Sequence, residues 1–291
     1  MTKYIVITPV KDEEQFVEHT LQSMTDQSLK PIRWFIVDDG SGDRTAEIVE
    51  RYEKDHEFIR LIKCPAGRLR ATGSAEVRAF NRGLEAAKGL EYDFIVKLDG
   101  DLSFPPDYFE RLLQQFYQDS QLGIASGVYS ESSGHKTWEE VAMPSYHAAG
   151  ASKVVRKTCF DQIGGFIPVR GWDTLDEIRA MTLGWRTCHF KEMKMKHWKP
   201  EGSGMGALRT SFMHGEIYYR TGGGRFFFLL KVLHRFIYRP FIIGAFALLW
   251  GYLKTMFGKQ GRIVSPEEAR CYRALLNRRL SGGIRRLLQS D

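Results

Sequence analysis

The segment Trp34-Phe-Ile-Val-Asp-Asp-Gly-Ser41 decides the fold class of this chain. In it, a short apolar run of strand length ends in two adjacent carboxylates and a glycine turn. A similar arrangement, with the glycine between the two carboxylates, recurs at Phe94-Ile-Val-Lys-Leu-Asp-Gly-Asp101. Acidic turns directly after buried strands are typical of open α/β sheets, in which ligands bind beyond the carboxyl ends of the strands.

The sequence on either side repeats the same alternation of strand and helix patterns. Apolar residues recur at helical spacing over residues 16–24 and 46–52, after the first and second predicted strands. We therefore predict an α/β fold with a mostly parallel sheet flanked by helices. The predicted strands are Tyr4–Val10, Arg33–Val37, Ile59–Ile62, Phe94–Leu98 and Leu122–Val128.

The composition of the 291 residues is that of a globular protein, with 43% hydrophobic and 26% charged residues. It excludes collagen, disordered chains and disulfide scaffolds. The net charge of +7 suits phosphates, nucleic acid or anionic lipid. The four cysteines are scattered without zinc-site spacing and fit a reducing cytoplasmic setting. The apolar stretch at the start is too short for a signal peptide, so we expect no export by that route.

The first acidic turn contains Asp38 and Asp39. Two carboxylates at a strand end can accept hydrogen bonds from a base imide and from ribose hydroxyls, and Gly40 lets the turn approach a nucleoside closely. The alternative is a plain strand-to-helix turn in which Ser41 or Asp43 caps the helix.

The second acidic turn contains Asp99 and Asp101. Carboxylates spaced by one residue at a strand end can place an oxygen on a hard divalent cation, which in turn bridges a diphosphate. The alternative is a solvated loop without an ion. The two turns together are more specific than either alone, because both follow predicted strands.

In the order and content of these motifs, the chain resembles family 2 of the inverting glycosyltransferases, which have the nucleotide-sugar-binding fold called GT-A. The resemblance covers about residues 4–200. Its motifs are TPVKDEE near the start, VDDGSGDRT, NRGLEAAKG and KLDGD, followed by Gly164-Gly165-Phe166, Gly171-Trp-Asp173 with Arg179, and Gly184-Trp-Arg186.

For the donor side, the resemblance implies a nucleotide-sugar site. Asp39 and Asp38 would lie against the nucleoside, and Pro9 with Glu13 would shape the base pocket. Asp99 would approach the ribose and the phosphates.

The resemblance also implies a divalent metal, Mg²⁺ or Mn²⁺, with Asp101 as a ligand. Family members often have a histidine after the last core strand, and His197 matches that position. The alternatives are a surface histidine among lysines, or His214 in the same role. Glycines at 202–206 suit a loop that closes over substrate, or a simple connector.

In the family, the general base is the Asp of a Glu-Asp pair near the acceptor loop, and Asp173 is the matching position in this chain. This chain has Trp172 before that Asp, which departs from the family pattern. Counting back from Arg179 selects Asp173, whereas a register shift in the loop would select Asp176 or Glu177.

The C-terminal part differs in character. Residues 217–266 contain eight Lys or Arg residues and no Asp or Glu, and the uncharged run Pro240–Leu253 is 14 residues long. A spanning helix needs about 20 apolar residues. With Tyr238, Trp250 and Tyr252, and basic flanks that include Arg239, the run suits a helix or hairpin in the interface of an anionic bilayer. The alternative is a buried helix that packs on the catalytic domain.

We therefore expect a catalytic domain over residues 1–215, in which residues 130–206 form an acceptor-side lobe with mobile loops. We expect a helical, membrane-associated region over residues 216–291. The predicted function is transfer of a sugar from a nucleotide diphosphate donor to a lipid-linked or growing glycan. It would take place at the cytoplasmic face of the membrane in a peripheral or monotopic protein, as in bacterial polysaccharide or glycolipid synthesis.

Two other functions are weighed against this one. A sugar-nucleotide nucleotidyltransferase would have a Gly-rich basic loop after the first strand, and TPVKDEE is acidic and lacks glycine. A non-catalytic membrane-associated protein would keep the fold without the chemistry. We expect no nucleic-acid partner, because the positive charge lies beside a hydrophobic run.

Overall fold

The computed structural model describes residues 2–65, 74–132, 137–200, 206–237 and 240–288. It divides into two units, Met1–Pro200 and Glu201–Asp291. Most of the expected glycine-rich loop, residues 201–205, lies outside the described residues, as do Tyr238 and Arg239. The domain boundary expected at residue 215 falls within the first described helix of the second unit, α7 (Ala207–Arg220).

The first unit alternates strands and helices, and all five predicted strands are confirmed. The elements are β1 (Tyr4–Val10), α1 (Val17–Thr25), β2 (Arg33–Asp38), α2 (Thr45–Asp55), β3 (Ile59–Lys63), α3 (Ala75–Ala86), β4 (Phe94–Leu98), β5 (Leu102–Ser103), α4 (Tyr108–Gln118), β6 (Leu122–Ser132), β7 (Trp138–Glu140), β8 (Ser152–Arg156), α5 (Lys157–Gln162), α6 (Trp172–Thr182) and β9 (Arg186–His197).

The strands form one sheet with the order β3-β2-β1-β4-β8-β6-β9-β5, and β7 pairs with β6. Strands β1 to β4 are mutually parallel, and β6 is parallel to β9. Strand β8 is antiparallel to both β4 and β6, and therefore joins the two parallel parts. The carboxyl ends of β1, β2, β4, β6 and β9 thus lie along one edge of the sheet, as the sequence predicts for the acidic turns.

Residues 130–206, which we expected to form an acceptor-side lobe, contribute strands to this same sheet. Strands β8 and β9 both come from this stretch and pair with β4 and β6. The short β5 pairs with the end of β9, with Leu102 opposite His197. This pairing brings the second acidic turn next to the end of β9.

The core lies on both faces of the sheet. Along β1, Tyr4 and Val6 belong to one buried cluster, and Ile5 and Ile7 to the other. Burial on both faces explains why the central strands are continuous apolar runs and do not alternate with polar residues. Helix α3 packs very closely, since a Cβ added to Gly83 would lie 2.5 Å from Cγ2 of Ile7.

The second unit consists of helices in its described part: α7, α8 (Arg225–Arg235), α9 (Phe241–Phe257) and α10 (Pro266–Leu288). Helices α7 and α9 cross where glycines allow their backbones to touch. A Cβ added to Gly215 would lie 2.0 Å from the carbonyl oxygen of Leu248, and one added to Gly251 would lie 2.0 Å from that of Phe212. Within the part of the chain that the structure describes, no helix is both long and apolar enough to cross a membrane.

Candidate functional site

The turns after β1 and β2 are joined by hydrogen bonds and form one side of the candidate site. The amide of Gly42 donates to Oδ1 of Asp12 at 2.8 Å, and the ammonium of Lys11 donates to the carbonyl oxygen of Asp39 at 2.6 Å. The amide of Glu14 donates to Oδ2 of Asp43 at 3.1 Å. These contacts fix the two loops against each other at the carboxyl edge of the sheet.

The Asp38 and Asp39 side chains are both buried. Oδ1 of Asp38 accepts the amide of Ser41 at 2.9 Å and the Ser41 hydroxyl at 2.5 Å. Gly40 has a φ of 69°, which a glycine adopts without strain. The carboxylate of Asp38 therefore holds the turn itself. A nucleoside contact of Asp38 or Asp39 stays a prediction.

Asp99 follows β4 and is paired with a buried lysine of that strand. The ammonium of Lys97 lies 2.5 Å from Oδ1 of Asp99 and 3.9 Å from Oε2 of Glu76. Burial by itself lowers the pKa of Lys97, but these carboxylates outweigh it and raise that pKa. Burial and the nearby Asp101 raise the pKa of Asp99 to about 6, against the effect of Lys97.

Asp101 and His197 meet at the end of β9. Nε2 of His197 lies 3.3 Å from Oδ2 of Asp101, and Nδ1 lies 3.2 Å from Oε1 of Glu131. Burial lowers the pKa of His197, but the hydrogen bonds to the two carboxylates raise it to about 10. The second oxygen of Asp101, Oδ1, is buried and accepts no hydrogen bond from any described residue.

Asp99, Asp101 and His197 can together hold a metal ion. One ligand atom from each residue lies within 4.8 Å of the others. A buried carboxylate oxygen without a donor is costly, and a divalent cation would satisfy it. Two carboxylates and an imidazole are a donor set that fits Mn²⁺, whereas Mg²⁺ prefers oxygen ligands throughout. The residues present therefore fit the expected metal.

Glu13 lies next to this group. Its Oε1 accepts the ammonium of Lys199 at 2.7 Å, and its Oε2 is buried without a hydrogen-bond partner among the described residues. Burial raises the pKa of Glu13, and Asp101 raises it further, although Lys199 lowers it. Pro9 lies in β1 opposite Val37. The expected base pocket of Pro9 and Glu13 stays a prediction.

Asp173 is the second residue of α6 and is partly exposed. The Cβ of Asp173 lies 3.7 Å from the position that a Cβ added to Gly150 would take. The residue after Gly150 is Ala151, whose carbonyl oxygen accepts the amide of Asp99 at 2.8 Å. Asp173 therefore lies close to the acidic turn after β4. Its place at the first turn of a helix also suits a negative charge.

The two alternatives to Asp173 are engaged elsewhere. Asp176 and Glu177 are buried, and the ammonium of Lys153 lies 3.0 Å from Oδ2 of Asp176 and 3.4 Å from Oε1 of Glu177. Glu177 also accepts the amide of Ala148 at 2.7 Å and contacts His147 at 3.0 Å. Their geometry is that of a buried ion-pair cluster with no open face for an acceptor.

Trp172, the departure from the family pattern, connects the two buried lysines. The ammonium groups of Lys97 and Lys153 lie 5.4 Å and 5.2 Å from the centre of its ring. Its indole N–H donates to Oε1 of Glu76 at 2.6 Å. Lys97, Lys153 and Glu76 are not among the predicted site residues, because a lysine in an apolar strand carries no signal of its partner.

Comparison with known proteins shows similarity over most of the first unit. A sequence model described as Glycosyl transferase family 2 matches residues 5–200. The uncharacterized glycosyltransferase EpsJ of Bacillus subtilis (strain 168) is 32% identical over 133 residues, which are 46% of this chain and 36% of EpsJ. The matches to the first curated relatives cover between 26% and 44% of those proteins' lengths.

Solved structures share the fold at low identity. The mannosyltransferase PcManGT from Pyrobaculum calidifontis, in complex with GDP-Man and Mn²⁺, superposes with a TM-score of 0.56 at 17% identity and covers 97% of this chain and 80% of its own. S. aureus TarS 1-349 in complex with UDP-GlcNAc gives a TM-score of 0.56 at 15% identity and covers 93% and 78%. At such low sequence identities, the similarity shows that the fold is shared and nothing more.

Proposed function

Because the chain belongs to glycosyl transferase family 2, we propose that it moves a sugar from a nucleotide diphosphate donor to an acceptor hydroxyl, with inversion at the anomeric carbon. The observation that carries this proposal is the group of Asp99, Asp101 and His197 at the carboxyl edge of the sheet. A divalent metal bound there would neutralise the departing diphosphate.

The donor side of the proposal rests on the two acidic turns. TarS and PcManGT, which share the fold, were solved with UDP-GlcNAc and GDP-Man. In this chain we propose that the nucleoside lies against Asp39, with Pro9 and Glu13 at the base. Glu13 supports this placement, because its buried Oε2 accepts no hydrogen bond from the described residues and can receive one from a bound ligand.

The acceptor side of the proposal assigns the general base to Asp173. The carboxylate takes the proton of the acceptor hydroxyl as its oxygen attacks the anomeric carbon. The new glycosidic bond forms while the bond to the diphosphate oxygen breaks, and that oxygen keeps the electron pair. Asp173 is the one carboxylate of the Asp173, Asp176 and Glu177 set outside the buried ion-pair cluster with Lys153.

We also propose that the acceptor is a lipid-linked or growing glycan at the cytoplasmic face of a membrane. Several large apolar side chains of α8 and α9 are exposed, among them Phe226, Ile243, Phe246 and Trp250. Residues 217–266 contain no acidic residue. Exposed apolar area beside positive charge is what attracts a protein to an anionic bilayer surface.

The test is turnover of nucleotide sugars by the purified chain. The chain is incubated with Mn²⁺ or Mg²⁺ and a panel of uridine and guanosine diphosphate sugars, and nucleotide release is followed with and without lipid-linked acceptors. We expect metal-dependent release from one donor class, faster with acceptor. If the chain binds donors but turns none of them over under any condition, the non-catalytic alternative holds. If it binds no donor at all, the proposal is overturned.

A further inference from the structure

A groove between α8 and α9 has the chemistry of a site for a hydrocarbon chain. Its volume is about 390 Å³, within the range of about 300–1,000 Å³ that is usual for ligand pockets. The apolar side chains of its wall are Phe228, Leu229, Val232, Leu249, Leu253 and Met256.

The polar groups of the wall are few. The wall residues that carry a polar side-chain group are Tyr252 and Arg225, and Arg225 is exposed at the first turn of α8. A peptide segment in this groove would bring N–H and C=O groups, each of which needs a partner when buried. A hydrocarbon chain brings none, so its burial has no such cost.

The surroundings favour a lipid over a second copy of the chain. Arg225 in the groove wall is exposed, and the whole stretch of residues 217–266 lacks acidic residues. Two copies of such a face would bring like charges together, which disfavours their association. An anionic phospholipid brings the opposite charge and an apolar chain.

We propose that this groove holds one acyl chain of an anionic phospholipid of the bilayer, with Arg225 at the lipid phosphate. The inference deepens the membrane part of the proposed function and rests on it. It assigns the lipid contact to one groove. If the exposed apolar residues alone attracted the bilayer, the contact would instead extend over the whole face of α8 and α9.

The first measurement uses soluble probes on the full chain. Octyl, decyl and dodecyl phosphate are titrated below their micelle concentrations and followed by calorimetry, with inorganic phosphate as the headgroup alone. Each added methylene that enters the groove should tighten binding about fourfold. Inorganic phosphate should not bind. Affinity that does not change with chain length would overturn the proposal.

Three tryptophan substitutions in α9 separate the groove from the rest of the face. Leu249→Trp places a larger side chain in the groove, whereas Ile243→Trp changes a residue that is 64% exposed and outside the lining. We expect Leu249→Trp, and Leu253→Trp as a second filling variant, to abolish dodecyl phosphate binding. Ile243→Trp should bind as the wild type does, and circular dichroism should show unchanged helix content in all three.

The charge is tested with Arg225→Gln and an uncharged dodecyl glucoside. Dodecyl phosphate should bind at least tenfold more weakly to Arg225→Gln, because a hydrogen bond to a charged group is lost. The glucoside should bind both proteins equally. Equal affinity of Arg225→Gln and wild type for dodecyl phosphate would overturn the phosphate assignment.

Vesicle flotation then tests the bilayer itself. Wild type and Ile243→Trp should float with phosphatidylcholine vesicles that contain phosphatidylglycerol, and Leu249→Trp should not. A dimer in sedimentation that Leu249→Trp dissociates would overturn the proposal in favour of a second copy. Metal-dependent release from nucleotide sugars is measured on the same proteins; if it is absent while lipid binding persists, the transferase proposal alone fails.

Discussion

Nε2 of His197 lies 3.3 Å from Oδ2 of Asp101, although one residue ends β9 and the other follows β4. The contact depends on β5, whose Leu102 pairs opposite His197 and so draws the acidic turn to the end of β9. On its other side, His197 is held by Glu131 at 3.2 Å. A histidine oriented by a carboxylate is the usual arrangement of a metal ligand in proteins.

From this arrangement we expect the melting temperature to rise with Mn²⁺ and a nucleoside diphosphate. A ligand at 100 times its Kd adds about 2.7 kcal/mol to the free energy of unfolding. Asp101→Asn should lose most of this gain, because it removes a charged ligand. Asp161→Asn is the matched control, since Asp161 is exposed and paired with Lys157 in α5. A full Mn²⁺ shift in Asp101→Asn would argue against this site.

The central strands could be predicted because each contains a short apolar run, such as Phe94-Ile-Val96 in β4. The strands β8 and β9 could not be predicted that way. Strand β8 is short, and its buried Lys153 interrupts the apolar pattern. In β9, buried Met193 and Met195 alternate with exposed Lys194 and Lys196. This alternation is a strand signal, although no strand is predicted there in the sequence analysis above.

The residue types of the site could be predicted from the acidic turns, but their partners could not. Lys97 lies in an apolar strand, and its approach to Glu76 and to Trp172 depends on how β4, α3 and α6 are arranged in space. Glu131 lies at the end of β6, and its contact with His197 depends on the β6–β9 register, which includes a shift after Gly127. Such long-range geometry is not present in a local pattern.

We expect Asp173→Asn to lower kcat by a factor of about 10²–10⁴, because it removes the proposed proton acceptor. Donor affinity, measured by calorimetry with Mn²⁺, should stay unchanged. Asp176→Asn should act differently. It leaves the buried Lys153 with less compensating charge, which should cost about 3 kcal/mol of stability. Unchanged turnover in Asp173→Asn would exclude it as the base.

Trp172 should matter chiefly for stability. A cation–π contact is worth about 2 kcal/mol when desolvated, and the Trp172 ring has two lysine ammonium groups over it. We expect Trp172→Leu to lower the free energy of unfolding, measured in urea, by about 2–4 kcal/mol. Trp172→Phe keeps a ring and loses the hydrogen bond to Glu76, so it should lose about 1–2 kcal/mol. An equal loss in both variants would contradict a role for the ring.

His147 should make stability depend on pH. Burial lowers the pKa of His147, but the Glu177 carboxylate outweighs it and raises that pKa. Because the pKa of His147 is higher in the folded than in the unfolded protein, its protonated form stabilises the fold. This stabilisation is fully present below the unfolded-state pKa of about 6.5 and is lost as the pH rises through the folded-state pKa. The slope reaches at most about 1.4 kcal/mol per pH unit.

The measurement for His147 is the free energy of unfolding as a function of pH above 6, in chelator so that no metal contributes. The difference between wild type and His147→Gln reports the titration of His147 together with its interaction with Glu177. We expect the stability advantage of the wild type to shrink as the pH rises. A difference that is constant over this range would mean that His147 does not titrate with Glu177.

Gly251 lies where α9 touches the backbone of α7, and we expect Gly251→Ala to destabilise the second unit. In an open helix interior, Gly→Ala gains about 1 kcal/mol. Here the new Cβ would lie 2.0 Å from the carbonyl oxygen of Phe212, and backbone cannot rotate away as a side chain can. Overpacking typically costs about 1–3 kcal/mol, so the clash should outweigh the gain in helix propensity.

Gly261→Ala is the matched control for Gly251→Ala, because a Cβ at Gly261 would meet nothing within 4 Å. Its stability should stay within about 0.5 kcal/mol of the wild type. Hydrogen exchange of α7 and α9 should speed up in Gly251→Ala and stay unchanged in Gly261→Ala, because helices forced apart expose their amides more often. Slower exchange of α9 in Gly251→Ala would mean that helix propensity outweighs the contact, and that the two backbones do not touch in solution.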